Sequence, residues 1–275
     1  MSEDRSNENG VRSSRVNSKD GTKISYDKVG RGPAIILVAG ALGTRFSWSE
    51  LPTLLEPRFT VISYDRRGRG DSTDITPYSP EREIEDIEAL IDQVPGGVVN
   101  LYGISSGGAL ALRAAAKLGA SKVSKLAIYE VPYSTDDDAI KRATEYHARL
   151  TKMLSAGDKG EAVAYFMEYA GVPREQIQGM RQAPMWKEFE ALAPSLEYDS
   201  RVLGDGFRLP KEQAAQIAVP TLVMVGGASP AFMLAAAQEL KSSIPDAQLR
   251  TLKDQTHNVE SEVLAPPLIE FFSGE

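Results

Sequence analysis

The sequence predicts an α/β fold: a mostly parallel, twisted sheet flanked by helices and interrupted by one all-helical insert. Three observations carry this expectation. Short, continuously apolar runs alternate with longer stretches of helical periodicity. Runs such as Ala34–Val38 lack the in-and-out alternation of a half-solvated strand, as expected of strands covered on both faces. The alternation also stops once, over residues 134–204, where there are several helix candidates and no good strand.

Each element has a local reason. Residues 1–10 are polar and charged and are expected to be a disordered tail. Residues 11–29 hold β-type segments around Asp20-Gly21, a hairpin signal. Ala34–Val38 is a buried strand, followed by the loop Gly40-Ala41-Leu42-Gly43. A short helix is expected over 47–55, and a strand over 59–64 that ends in the turn Asp65-Arg66-Arg67-Gly68-Arg69-Gly70-Asp71-Ser72. Residues 80–94 have helical periodicity and acidic first turns. A β-rich run at 97–101 precedes an alanine-rich helix at 109–118, and Val123–Tyr129 is a strand that ends at Glu130. Helices are expected over 136–155 and 159–171, with shorter ones through Leu192. The alternation resumes after Pro220, with strands at 221–225 and 248–252 and helices at 230–242 and 261–272. The domain reading is a core of 11–133 and 205–275, with 134–204 as a helical lid.

Composition narrows the function classes. A chain of 275 residues with 42% hydrophobic and 25% charged content suits one soluble α/β domain carrying an insertion. The net charge of −7 argues against a nucleic-acid partner and against docking on anionic lipid. The absence of cysteine excludes disulfides, thiolate zinc sites and a cysteine nucleophile. No apolar run approaches the ~18 residues of a membrane span, and the first ten residues lack the apolar core of a signal peptide. A cytoplasmic protein with a small-molecule partner, monomeric or homodimeric, is the expectation.

The chemistry centres on Gly103-Ile104-Ser105-Ser106-Gly107, which joins the run at 97–101 to the helix at 109–118. A strand, a Gly-x-Ser-x-Gly turn and a helix make a nucleophile elbow. The register is unambiguous: Ser105 has glycine two residues away on both sides, whereas Ser106 has Ile104 where glycine would be needed. With Gly and Ser each near ~7% of residues, the bare pattern arises by chance in roughly one chain in ten of this length. The strand-turn-helix context and the order of the remaining parts are what give it weight.

In that context and order the sequence resembles the α/β-hydrolase fold superfamily from about Val16 onward, and within it the esterase, lactonase and C–C hydrolase branch. The resemblance implies Ser105 as nucleophile and His257, between the last strand and the last helix, as its base. The second histidine, His147, falls in a lid helix and is expected to pack. The acid of such sites usually follows the strand at 221–225, yet Gly226-Gly227-Ala228-Ser229-Pro230 has no carboxylate. Some relatives carry it one strand earlier, which here is Glu130. Glu130 could instead pair with an arginine such as Arg66, and Asp254 is the alternative acid. The family position of the oxyanion hole implies the backbone N–H groups of Ala41 and Ser106, with Ala39-Gly40 standing where relatives often have His-Gly. The turn at 65–72 offers no nucleophile or base and is expected to be structural.

Most of the aromatic and methionine residues of 134–204 are expected to pack the insert's helices on the core, while Leu42, Phe46, Trp48, Tyr165, Met185 and Trp186 are the candidates to line an apolar pocket for a medium-sized apolar or aromatic ester or lactone. No cofactor or metal is expected, since two isolated histidines without cysteine make a poor transition-metal site and no dinucleotide fingerprint follows the first strands. Ser105 also excludes the aspartate-nucleophile dehalogenases and epoxide hydrolases of this fold. The resemblance leaves other activities open: a cofactor-independent dioxygenase, a C–C hydrolase, or a small-molecule receptor without turnover.

Overall fold

Six neighbouring parallel strands fix where the functional loops can lie. The structure, a computed structural model, describes residues 5–6 and 12–274. Its strands are β1 (Arg5–Ser6), β2 (Arg12–Asn17), β3 (Lys23–Gly30), β4 (Ala34–Val38), β5 (Thr60–Tyr64), β6 (Val99–Ile104), β7 (Val123–Tyr129), β8 (Thr221–Gly226) and β9 (Ala247–Leu252). They form one sheet in the order β1-β2-β3-β5-β4-β6-β7-β8-β9. The pairs β1–β2, β2–β3 and β3–β5 are antiparallel. From β5 to β9 every neighbouring pair is parallel. The carboxyl ends of β4, β5, β6, β7, β8 and β9 therefore open on one edge, where open α/β sheets place their sites.

The helices are α1 (Leu51–Leu55), α2 (Pro80–Ile91), α3 (Ser106–Leu118), α4 (Asp137–Ser155), α5 (Lys159–Tyr169), α6 (Arg174–Met180), α7 (Met185–Leu192), α8 (Ser195–Leu203), α9 (Lys211–Ala214), α10 (Ala231–Ser243) and α11 (Ser261–Ser273). Successive strand residues point to opposite faces, and both faces are covered. Ile36, Val38, Leu101, Ile128 and Val223 join the cluster that includes α2, α3 and α10. Ile35, Leu37, Tyr102, Ala127 and Leu222 pack with Leu51 and Leu55 of α1 and Leu264 and Leu268 of α11. This is why the strands read as unbroken apolar runs.

Residues 134–204 fold as α4 to α8. The chain leaves and re-enters the core at one neck, where the Ser134 N–H donates to the Phe207 carbonyl (2.8 Å) and Ser134 bridges Arg208. The expected first helix is shorter than read: only Leu51–Leu55 is α-helical, after turns in which Ser49 has a φ of 48°. Of the expected disordered tail, Arg5–Ser6 form β1, and the rest of 1–10 lies outside the described residues. No described helix is long and apolar enough to cross a membrane.

The arginine-rich turn after β5 is buried. Arg66, Arg67 and Arg69 are each at most 1% exposed. Arg66 grips Glu83 of α2 with two 2.7 Å bonds and reaches Asp199 of α8 at 2.8 Å. Arg67 pairs with Asp86 of α2 and with Asp20. Asp65 is held by the Arg45 N–H and guanidinium and by the Asp71 N–H. Burial alone would raise the Glu83 carboxyl pKa; the Arg66 charge and hydrogen bonds more than offset it and hold the group below its usual value. Buried ion pairs are costly to break one side at a time. Arg66→Met, which takes the guanidinium partner from buried Glu83 and one of two arginines from Asp199, is expected to lose about 3–5 kcal/mol of stability in a urea titration.

Candidate active site

β6 ends at Ile104 and α3 begins at Ser106, so the chain reverses on a single residue. That residue, Ser105, has φ 57° and ψ −130°, a conformation side-chain-bearing residues rarely adopt. Its N–H donates to the Tyr129 carbonyl (2.9 Å), and its carbonyl accepts from Gly108 N–H (3.0 Å). The glycines of the motif are there for space. A Cβ on Gly103 would collide with the Gly107 carbonyl, and one on Gly107 with the Val38 carbonyl. The loop after β4 lies against the serine: a Cβ on Gly40 would meet Ser105 Cβ at 3.0 Å.

Glu130 follows β7 directly, and its N–H continues the ladder by donating to the Met224 carbonyl (3.1 Å). Its backbone is left-handed, with a φ of 46°, and its side chain is fully buried. One carboxylate oxygen accepts from the Gly226 N–H (2.8 Å) and the Ser229 hydroxyl; the other lies 2.9 Å from His257 Nδ1. Arg66 is not its partner, being committed to Glu83 and Asp199. Burial by itself would raise the Glu130 pKa, but the bonds from His257, Ser229 and Gly226 hold it below the usual glutamate value. A carboxylate depressed by folding contributes stability that is full above its unfolded pKa, about 4.3, and is lost as pH falls through the lower folded value. Between pH 5 and 3 the wild-type unfolding free energy is therefore expected to fall more steeply than that of Glu130→Gln.

The histidine loop is fixed from three sides. Tyr129 donates its hydroxyl to the Thr256 carbonyl (2.5 Å), Ala228 N–H donates to the Gln255 carbonyl (2.9 Å), and Glu260 N–H donates to Gln255 Oε1 (2.8 Å). With Nδ1–H donated to the carboxylate, Nε2 is the ring's free proton acceptor. His257 remains 44% exposed. The alternative acid, Asp254, has a solvent-exposed side chain whose ion-pair partner is the neighbouring Lys253, at 3.8 Å. Among the described residues Ser105 Oγ has no hydrogen-bond partner, so the serine and histidine are not bonded to each other here. The Ala41 and Ser106 N–H groups are likewise unpaired among the described residues. For Ser106 this follows from its place in the first turn of α3.

The apolar residues expected around the pocket lie in different surroundings. Trp48 belongs to the core beside α1 and α11, with its ring 5.8 Å from that of Tyr102. Trp186 is buried among the insert's helices, and its indole N–H donates to Glu190 (3.1 Å). Tyr165 stacks on Tyr146, with the Arg149 guanidinium over its face. Phe46 and Met185 are exposed. Leu42, next to Ala41, is partly buried against the core. A short helical insert must build its own core, and aromatic residues serve that first. Sequence reasoning missed Ser229, Tyr129 and Gln255, which hold Glu130 and the histidine loop. Among the described residues no cluster of three or more His, Cys, Asp or Glu could hold a metal ion.

Comparison with known proteins agrees with this architecture. The pattern of the alpha/beta hydrolase family matches residues 35–265. The chain is similar to an alpha/beta hydrolase from Sphaerobacter thermophilus, with 47% identity and a TM-score of 0.84 over 94% of this chain and 99% of that one. It is 24% identical to 3-oxoadipate enol-lactonase 1 of Acinetobacter baylyi over 96% of this chain and 97% of that protein. It is 31% identical to the human serine hydrolase BPHL over 59% of this chain, and the match spans only 58% of the human protein. The chain belongs to the alpha/beta hydrolase family.

Proposed function

We propose that this protein is a serine hydrolase that cleaves a carboxylic ester or lactone through an acyl-enzyme, with Ser105 as nucleophile, His257 as general base and Glu130 as the orienting acid. The observation that carries the reading is the 2.9 Å pair of Glu130 and His257, set one strand over from a serine in strained backbone. In this mechanism Nε2 of His257 takes the Ser105 proton as Oγ attacks the carbonyl carbon. Negative charge collects on the former carbonyl oxygen, which the unpaired Ala41 and Ser106 N–H groups receive. The imidazolium formed is stabilised by the buried Glu130 carboxylate and returns its proton to the leaving oxygen. Water, activated by the same imidazole, then releases the acid and restores Ser105.

The helices of 134–204 act as a lid over this edge of the sheet, and the partly buried Leu42 and exposed Phe46, which follow Ala41 in the chain, support an uncharged, medium-sized acyl or aryl group. Similarity to an enol-lactonase supports lactones as well as open esters. Hydrolysis of a panel of p-nitrophenyl esters and aryl lactones tests the proposal. Turnover by the wild-type chain, lost in Ser105→Ala, is expected. A folded protein that cleaves none of them, or a Ser105→Ala variant as active as wild type, would overturn it.

A further inference from the structure

Asp199 lies in α8, 94 positions beyond Ser105 and inside the helical insert, yet its carboxylate is bound to the elbow. Three donors converge on one oxygen, Oδ1: Arg66 Nη1 at 2.8 Å, Arg69 Nη2 at 2.7 Å and the Ser106 hydroxyl at 2.7 Å. Its other oxygen is buried and has no hydrogen-bond partner among the described residues. A carboxylate crowded on one side and orphaned on the other is a poor arrangement for stability alone.

What the two arginines do with their remaining donors gives it another purpose. Arg69 Nη1 donates to the Gly40 carbonyl at 2.6 Å, and Arg66 Nη1 donates to the Ala39 carbonyl at 3.1 Å. The Gly40 carbonyl and the Ala41 N–H belong to one planar trans peptide, in which the two groups point in opposite directions. A guanidinium fixed on that carbonyl therefore sets the direction of the Ala41 N–H. It also polarises the peptide and makes the N–H a stronger donor. The third bond to Asp199 comes from Ser106, the residue whose N–H is the other unpaired donor.

We propose that Asp199 is the positioning residue of the oxyanion hole: through Arg69 and the Ser106 hydroxyl, one carboxylate on the helical insert sets both donors. The inference rests on the hydrolase reading above. It also couples the insert to the chemistry, because a shift of α8 would move Asp199 and loosen both N–H groups together.

The test compares an aryl oxoester with its thionoester, whose sulfur is a poor acceptor and gains little from aligned N–H donors. In the full-length Asp199→Asn variant, oxoester kcat is expected to fall about 10- to 100-fold, short of the loss of a whole donor. KM should stay within about threefold, and the oxoester-to-thionoester rate ratio should shrink, because the thionoester loses less. A folded Asp199→Asn enzyme with unchanged kcat, or with equal losses on both esters, overturns the proposal. Should that variant fail to fold, Ser106→Ala decides, since it removes one hydroxyl and leaves every charge paired. A several-fold fall in kcat with a narrowed ratio supports the proposal, and an unchanged ratio overturns it. A wild-type chain that hydrolyses neither ester fails earlier, at the hydrolase reading itself.

Discussion

Ser105→Ala is expected to lower ester turnover by about 10⁵- to 10⁶-fold, the loss that follows removal of a nucleophile that works as a unit with its base. The substitution keeps a Cβ at a backbone φ of 57°, so the strain at the elbow is the same before and after. Ser105 Oγ also makes no hydrogen bond to a described residue that the variant would break. The thermal midpoint should therefore stay within a few degrees of wild type while activity disappears. Unfolding of the variant would show that the hydroxyl supports the fold in a way its surroundings do not suggest.

Glu130→Gln is expected to cost about 10⁴-fold in kcat with little change in KM, as loss of an orienting carboxylate does. The geometry dictates how. One oxygen of Glu130 already accepts from the Gly226 N–H and the Ser229 hydroxyl. A glutamine must keep its carbonyl oxygen there, which turns its NH₂ toward His257 Nδ1, 2.9 Å away from the present oxygen. Two donors cannot share a bond, so Nδ1 becomes the acceptor and the proton moves to Nε2. The imidazole is then in the wrong tautomer to take a proton from Ser105. Activity within about tenfold of wild type would show that Glu130 does not orient the base.

How much of this was legible depends on whether the signal was local. The parallel strands were readable because burial on both faces makes a run such as Ala34–Val38 apolar throughout. The elbow was readable because two close backbone approaches demand glycine at fixed offsets from Ser105. Glu130 emerged from an absence, the lack of a carboxylate in 226–230, and the structure adds that this same loop supplies the Gly226 and Ser229 donors. Nothing local marked the bond from Arg66 to Asp199, because it joins a turn to a helix 133 positions later. The first turns of α2 looked like acidic residues placed at a helix start, yet Glu83 and Asp86 are buried partners for Arg66 and Arg67. Trp48 packs in the core beside α1 and α11, and its position near a site loop does not say on which face of the sheet it packs.

The most direct test of an activated serine is reaction with a fluorophosphonate, followed by mass spectrometric mapping of the adduct. Rapid, stoichiometric labelling of Ser105 is expected in the wild-type protein, and labelling slowed by orders of magnitude in His257→Ala. A well-folded protein that is not labelled, or one labelled equally fast without His257, would contradict Ser105 as a nucleophile activated by His257.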